Sequence, residues 1–125
     1  MTTDQFRKLS NELEQELKGN ILPYWMKFTP DQEYGGFHGH VTHFNKAVQK
    51  ANKGAILNAR ILWTFSAAYR MYGNGDYLET ALRAYLYIRD HFLDKEQGGI
   101  YWELDYKGVV SASRKQIYAL AFTIY

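Results

Sequence analysis

The sequence has 125 residues, of which 46% are hydrophobic, with 15 lysines and arginines against 13 aspartates and glutamates. The formal net charge of +2 argues against a dedicated nucleic-acid-binding protein, which needs clustered cations to neutralise phosphates. The hydrophobic content excludes intrinsic disorder, and the length predicts a single domain. Because the chain has no cysteine, disulfides and thiolate metal sites are excluded and a reducing compartment is favoured.

No targeting or membrane segment is predicted. The first residues lack a basic stretch followed by an apolar one, so we expect no secretory signal. The most apolar stretch, residues 55–72, is interrupted by Asn58, Arg60 and Arg70, which argues against a membrane span. The sequence therefore predicts a cytoplasmic protein without a membrane or nucleic-acid partner.

The first predicted element is an amphipathic helix. Thr2 and Gln5 have the spacing of a capping box at its start. Pro23 is expected to kink or end the helix, because its ring meets the carbonyl group of Gly19. The residues that define its apolar face recur at steps of three and four: Phe6, Leu9, Leu13 and Leu17.

Three further helices are predicted. Residues 55–72 are apolar on nearly every side, which is typical of a helix buried on most sides, and Gly73 is expected to end it. Asp76 is predicted to cap the next helix, with Glu79 completing a capping box. A fourth helix is expected to begin near Ser113. The predicted buried residues of the third helix are Tyr77, Ala81, Ala84, Tyr85 and Ile88.

Two segments with Gly-Gly pairs form an internal repeat. Residues 34–41 alternate at period two like a short strand, and residues 94–104 are a second strand-like segment followed by a turn at 105–108. Each unit combines an amphipathic helix, a Gly-Gly hairpin and a more apolar helix, and such units stack on one another. The pairs related by 63 residues are Asp31/Asp94, Glu33/Glu96, Gly35/Gly98, Gly36/Gly99 and Phe37/Ile100.

The repeat predicts a ring of which this chain is a part. Six units at this period would need about 380 residues, so we expect the two units here to form about a third of it. The last residues are apolar and contain neither a capping glycine nor a basic last turn. We therefore expect the chain to stop within the fourth helix.

Residues 53–70 read KGAILNARILWTFSAAYR and resemble the signature of the cellobiose 2-epimerases, within the N-acylglucosamine 2-epimerase family. Residues 98–102 (GGIYW) and 114–119 (RKQIYA) resemble two further segments of that group, in the same order. The resemblance implies an all-α fold, the (α/α)6 barrel or six-hairpin toroid. Residues 1–125 would be the N-terminal part of that single domain, comprising its first two helical hairpins with short Gly-Gly β-hairpins.

The resemblance also implies an activity. Family enzymes reversibly invert C2 of the reducing-end glucose in β-1,4-linked disaccharides, converting cellobiose to glucosyl-mannose and lactose to epilactose through an enediolate. No cofactor or metal is implied. The histidines that remove and return the proton belong to later repeats, so residues 1–125 alone are expected to be inactive. A complete ring is expected to be a monomer.

Arg60 is the candidate catalytic residue. It is the one charged residue between Ala55 and Tyr69, and a buried guanidinium requires an anionic partner. That partner is either a carboxylate of another helix or the sugar oxygens O1 and O2, where negative charge develops in the enediolate. The resemblance favours the second interpretation, because the matching arginine of the family contacts the reacting sugar.

Four further residues are candidates for substrate binding. The resemblance suggests that the Tyr118 hydroxyl contacts the sugar, although a core aromatic is the alternative. Asn58, Trp63 and Trp102 are candidates for lining the cleft. The alternatives are that Trp63 packs between helices and that Asn58 satisfies neighbouring backbone groups.

Two other groups of residues suggest rival chemistries. His38 and His40 share a strand face, but His43 breaks the alternation, so a solvated hairpin is favoured over a metal site. Glu96, Glu103 and Asp105 raise the possibility of a glycosidase with paired carboxylates, against which turn positions are the simpler account.

The alternatives left open are three. The first is another activity of the same family, either N-acylglucosamine epimerase or aldose-ketose isomerase. The second is a toroidal glycosidase. The third is a non-catalytic helical repeat that binds glycans or proteins through its exposed inner helices.

Overall fold

The computed structural model describes residues 1–125 as a helical body with one small sheet. The helices are α1 (Thr3–Glu16), α2 (Leu22–Phe28), α3 (Ala55–Tyr72), α4 (Gly75–Tyr87) and α5 (Ile117–Ile124), with π-helical segments at Leu17–Ile21 and Ile88–Phe92. The strands are β1 (Lys53–Gly54), β2 (Glu103–Leu104) and β3 (Val110–Ala112). No helix has both the length and the apolar character needed to cross a membrane.

The first helix begins as predicted but continues past Pro23. The Thr2 hydroxyl accepts a hydrogen bond from the Gln5 N–H at 3.3 Å, and the Gln5 side chain accepts one from the Thr2 N–H at 2.8 Å, which confirms the capping box. Pro23 lies in the first turn of α2 directly after the π-helical segment, in which the Leu22 N–H donates to the Leu17 carbonyl, and the helix continues although Pro23 has no N–H to donate. No residue of α1 is buried, so its apolar stripe is exposed.

The junction between α3 and α4 is shorter than predicted, because α4 begins at Gly75. Gly73 ends α3 in the left-handed conformation, with φ +67°, as expected. The prediction that Asp76 caps α4 is wrong, because the helix begins at Gly75 and the Asn74 side chain accepts the Asp76 N–H at 2.9 Å. The prediction that Tyr85 is buried is also wrong, since Tyr85 is exposed and Tyr87 is buried instead.

The core lies mainly between α3 and α4. Leu22 and Phe37 join this core from α2 and the first loop, while α5 packs on α3 beside a second cluster. The expectation that α3 is buried on most sides is wrong, because its contacts come mainly from α4 and α5, with fewer from the π-helical segment at Ile88–Phe92 and from β1. Its side facing away from α4 is open. The residues of α3 that are buried are Ala55, Asn58, Ala59, Ile61, Phe65 and Ala68.

The sheet is antiparallel in the order β1-β2-β3. The predicted turn at 105–108 is confirmed, because the Gly108 N–H donates to the Asp105 carbonyl at 3.0 Å and the turn joins β2 to β3. The strand predicted at 34–41 is absent and is replaced by isolated bridges. Gly35 and Gly36 have φ of +77° and +62°, so the backbone turns there instead of extending.

The internal repeat is confirmed in the backbone hydrogen bonds of the two Gly-Gly loops. The Asp31 N–H donates to the Gly36 carbonyl at 3.1 Å, and the Asp94 N–H donates to the Gly99 carbonyl at 2.9 Å. The first loop follows α2 and leads to α3, and the second follows the π-helical segment at Ile88–Phe92 and leads to α5. The two units therefore share one local geometry, which places α3 and α5 at equivalent positions.

Candidate functional site

Arg60 lies on the open side of α3. It is two residues from the fully buried Asn58, and a step of about 100° per residue places the two on nearly opposite sides of the helix. Arg60 is exposed, and it forms no ion pair with any carboxylate of the chain. The expectation that Arg60 is buried in this chain is therefore wrong. Its guanidinium group is available to a ligand.

Two cavities share Arg60 as a lining residue. One, of about 230 Å³, lies between α3 and α5 and has an aromatic wall formed by Trp63, Phe122 and Tyr125, with Ala59 and Thr64. The other, of about 430 Å³, lies between α2 and α3, and we call it the α2–α3 groove. Its lining residues are Ile21, Leu22, Trp25, Ile56, Leu57, Arg60, Ile61, Thr64 and Phe65.

The structure places Trp63 beside Arg60 at one cavity. Tyr118 lies on α5, one helical turn before Phe122. The Trp63 side chain is 47% exposed and stacks on Tyr125 with ring centres 5.7 Å apart and planes inclined by 16°. Tyr118 is exposed on α5 and meets the ring of Phe122 edge to face at 4.9 Å. Phe122 lines the same cavity as Arg60 and Trp63, and Tyr118 contacts Phe122 without lining that cavity itself.

Asn58 and Trp102 lie elsewhere. Asn58 is 0% exposed and its side-chain amide donates to the Gly54 carbonyl at 2.9 Å. A side chain without solvent contact cannot meet a sugar, so the structure favours the interpretation that Asn58 satisfies the backbone. Trp102 is half-buried, accepts the Ala55 N–H at its carbonyl and stacks against the Arg114 guanidinium at 4.9 Å. Its backbone thus ties the start of α3 to the segment beside β2, while its indole ring packs against the second core cluster.

A pair of lysine–aspartate contacts was missed in the sequence. The Lys53 ammonium lies 2.7 Å from an Asp31 carboxylate oxygen, and the Lys115 ammonium lies 2.6 Å from one of Asp94. Both aspartates also accept two backbone N–H groups of their own loops. Lys53 closely precedes α3 and Lys115 closely precedes α5, so each contact ties a Gly-Gly loop to the start of the helix that follows it.

The recurrence of these lysines is a signal that the sequence does carry. Lys53 follows Asp31 by 22 residues, and Lys115 follows Asp94 by 21. The one-residue difference hides them from a comparison at a fixed offset of 63. In the structure they occupy equivalent positions, and Lys53 is only 1% exposed.

The lysine contacts lower the pKa of both carboxyl groups. Burial is the largest influence on Asp31 and raises its pKa, but the hydrogen bonds from Lys53 and from the backbone outweigh it, so the pKa lies below its usual value. The Gln97 N–H and the Lys115 ammonium lower the pKa of Asp94 to about 2. Both carboxylates are thus held in the charged form.

Tyr87 lies next to the Lys53–Asp31 contact and packs against the first Gly-Gly loop. Its ring lies under Gly36, where an added Cβ would be 2.7 Å from the ring, and the Lys53 ammonium lies 5.1 Å from the ring centre. Burial, with the charges of Asp31 and Asp105, raises the pKa of Tyr87 to about 12. The phenol therefore stays neutral and acts as a packing element between the loops.

Among the rival histidine and carboxylate groups, His38, Glu103 and Asp105 contact other residues of the chain. His38 lies 3.9 Å from Asp31, and no group of three or more histidine and acidic side chains is placed to hold a metal ion. Glu103 accepts hydrogen bonds from Asn52 and Ser111, and Asp105 accepts the backbone N–H groups of its own turn. Neither carboxylate belongs to the surface around Arg60, which offers a cation and aromatic faces.

Comparison with known proteins agrees with this architecture. The sequence model of the family described as N-acylglucosamine 2-epimerase (GlcNAc 2-epimerase) matches residues 20–125. A cellobiose 2-epimerase of Bacteroides fragilis is 54% identical over 117 residues, covering 94% of this chain and 30% of its own length. A cellobiose 2-epimerase of Ruminococcus albus is 41% identical, covering 92% of this chain and 29% of its own length. The chain thus spans about 30% of the curated relatives it matches.

Solved structures show the same fold. The cellobiose 2-epimerase of Spirochaeta thermophila superposes with a TM-score of 0.93 at 33% identity, over 98% of this chain and 30% of its own. The cellobiose 2-epimerase of Bacillus thermoamylovorans superposes with a TM-score of 0.90 at 41% identity, over 95% of this chain and 30% of its own. A D-mannose isomerase superposes with a TM-score of 0.73 at 23% identity, over 82% of this chain and 26% of its own, which shows a shared fold only. From the family match and these relatives together, we conclude that the chain belongs to the N-acylglucosamine 2-epimerase family.

Proposed function

We propose that residues 1–125 form the substrate-holding part of a sugar epimerase and that Arg60 contacts the reacting end of the sugar. The observation that carries this proposal is the placement of Arg60. It is an exposed cation without an anionic partner, it lies on the open side of α3, and it borders two cavities, one of which has aromatic walls. The names of the relatives support epimerisation as the reaction.

The chemistry of C2 inversion needs a cation at this place. Once the sugar ring has opened, removal of the proton from C2 moves the electron pair onto O1 of the C1 aldehyde, giving an enediolate in which O2 is still a hydroxyl, and a positioned guanidinium stabilises the negative charge in the transition state. The planar guanidinium can donate two parallel hydrogen bonds to both oxygens. The indole ring of Trp63 offers an apolar face to the sugar ring, and the Tyr118 hydroxyl can orient it.

The substrate class that we propose is the β-1,4-linked disaccharide, with cellobiose or lactose inverted at C2 of the reducing-end glucose. Cellobiose is supported by the names of the relatives. The full catalyst would be an (α/α)6 ring in the cytoplasm, with the acid and base histidines in later repeats, and the proposal involves no cofactor or metal. Residues 1–125 would supply two of the six hairpins of that single domain.

A chimera tests this proposal. Residues 1–125 replace the matching segment of the Bacteroides fragilis relative, which is 54% identical. We expect the chimera to convert cellobiose to glucosyl-mannose, and residues 1–125 alone to give no turnover. Epimerisation by the isolated chain above a blank would contradict the proposal, because the proton-transferring residues would then lie within it.

A substrate panel on the same chimera separates the alternatives. N-acylglucosamine converted in place of cellobiose indicates another epimerase of the family, and a ketose product indicates an aldose-ketose isomerase. Release of glucose from cellobiose indicates a glycosidase. Sugar binding without turnover by a folded chimera would favour a binding module.

A further inference from the structure

The start of α3 is held by contacts with distant parts of the chain and not by a capping side chain. Gly54 precedes the helix and has no side chain with which to accept a backbone N–H. The Ala55 N–H donates to the Trp102 carbonyl at 3.2 Å, and the Lys53 side chain donates to the first Gly-Gly loop, residues 31–36. The position of the first turn of α3 therefore depends on residues far from it in the sequence.

The first Gly-Gly loop is itself fixed to α4. The Arg83 guanidinium of α4 donates to the Gly36 carbonyl at 2.8 Å and also to the Asp31 carbonyl. One oxygen of the Asp31 carboxylate accepts two backbone N–H groups of the loop, each at 3.0 Å. The other oxygen accepts the Lys53 ammonium at 2.7 Å. The buried lysine thus joins a loop anchored on α4 to β1, the strand that leads directly into α3.

The second unit repeats this arrangement. The Lys115 ammonium lies 2.6 Å from the Asp94 carboxylate, and Gln116, the N-cap residue of α5, forms no capping hydrogen bond through its side chain. Tyr118, the candidate sugar contact on α5, follows Lys115 by three residues. The repeat therefore places a lysine–aspartate contact directly before each helix that carries a candidate sugar contact.

The position of Arg60 depends on the start of α3. Arg60 lies five residues beyond the first residue of the helix, which is about 8 Å along the helix axis. Since a helix moves nearly as a rigid element over so short a distance, a shift of its first turn also moves the guanidinium. A displacement of about 1 Å at a reacting group can lower a rate about 100-fold.

We propose that Lys53 and Asp31 are positioning residues for Arg60, an inference that rests on the proposed function. Their buried contact sets the start of α3 and thereby the place of the guanidinium at the sugar. Lys53 does not touch the sugar itself, because its side chain is only 1% exposed. The two residues act on the reaction through Arg60.

A cycle of single and double variants tests this inference in the chimera of residues 1–125 with the remainder of the Bacteroides fragilis relative. Lys53→Met is expected to lower kcat for cellobiose about tenfold with little change in KM, because the charge that Arg60 stabilises develops in the transition state. In the Arg60→Lys background, the same substitution should change kcat by less than about twofold, since the group through which it acts is already altered. Circular dichroism of each variant at the assay temperature shows that folded protein is compared.

The outcomes separate a positioning role from a purely structural one. Unchanged kcat for Lys53→Met in a folded chimera overturns the inference. So does an equal fold-loss in both backgrounds, which indicates a general loss of stability. An Arg60→Lys chimera with the kcat of the unaltered one contradicts the proposed function itself, and the inference falls with it.

Ala81→Gly is the matched control for loss of stability. Ala81 is buried on α4, and glycine within a helix is destabilising, but the change removes no group from the Lys53–Asp31 contact. The melting temperature of the control should fall, while kcat and KM at a temperature where it is folded should equal those of the unaltered chimera. A loss of kcat as large as that of Lys53→Met would overturn the inference.

Amide hydrogen exchange in residues 1–125 gives a second readout that needs no activity. Lys53→Met is expected to raise the exchange rates about tenfold in the second turn of α3, residues 59–62, and by less in the fourth turn, residues 66–69. Where Lys53→Met does not fold, Asp31→Asn takes its place in both experiments, because the amide keeps an oxygen for the ammonium. An equal change in both turns overturns the inference.

Discussion

Replacing Lys53 by methionine tests the buried contact that ties the first Gly-Gly loop to α3. The side chains of Lys53 and Asp31 are only 1% and 2% exposed, and the ammonium also donates to the Gly35 carbonyl at 2.8 Å. Methionine keeps much of the volume but leaves the Asp31 carboxylate without its cation. Removing one partner of a buried ion pair costs about 3 kcal/mol or more.

That loss is a large part of the 5–15 kcal/mol that stabilises a typical domain. We expect urea unfolding, followed by circular dichroism, to show a lower midpoint with an unchanged slope. Lys115→Met is the matched comparison in the second unit, where the lysine is 27% exposed, and it should lower the midpoint by less. Similar midpoints for Lys53→Met and the unaltered chain would refute the reasoning.

A double variant separates the ion pair from simple loss of packing. Asp31→Asn combined with Lys53→Met leaves no buried charge at this place. The combined loss of unfolding free energy should be smaller than the sum of the two single losses. Strict additivity would mean that the two side chains do not interact in the folded protein.

The remaining predictions concern glycine, pH and the candidate arginine. Gly36→Ala should destabilise more than Gly98→Ala in thermal melts, because both have positive φ but an added Cβ lies 2.7 Å from the Tyr87 ring only at Gly36. Stability should fall as pH drops from about 4 to about 2, since the pKa of Asp94 is lowered to about 2 in the folded chain and its contribution is lost on protonation. Asp94→Asn should flatten this dependence in urea titrations at each pH. Arg60→Lys in the chimera should lower kcat about 100-fold, and near-normal kcat would return Arg60 to a structural role.

The parts of the fold that the sequence predicts are those set by local patterns. The capping box of α1, the left-handed Gly73 and the turn at 105–108 each depend on a few neighbouring residues. The strand predicted at 34–41 fails because its glycines adopt positive φ, which a pattern of alternating residues does not reveal. The cap of α4 fails because Asn74 and Asp76 are both good capping residues and sequence does not fix the first turn.

For the candidate site, the sequence indicates which residues stand out but not where the fold places them. Arg60 stands out because it is a charge within an apolar helix, but whether it is buried depends on which elements cover α3, and that is a tertiary property. Asn58 lies two residues away and shares the same motif, yet the turn of the helix puts it inside the core. The Lys53–Asp31 contact joins residues 22 positions apart, beyond the range of helical or strand periodicity.

Incorporation of solvent deuterium at C2 tests the central claim most directly. The chimera of residues 1–125 with the remainder of the Bacteroides fragilis relative is incubated with cellobiose in D2O, and the sugars are examined by NMR. The account predicts glucosyl-mannose carrying deuterium at C2, with loss of most of this exchange in the Arg60→Lys variant. A folded chimera that exchanges no C2 proton, or an Arg60→Lys variant that exchanges it at the unaltered rate, would contradict the account.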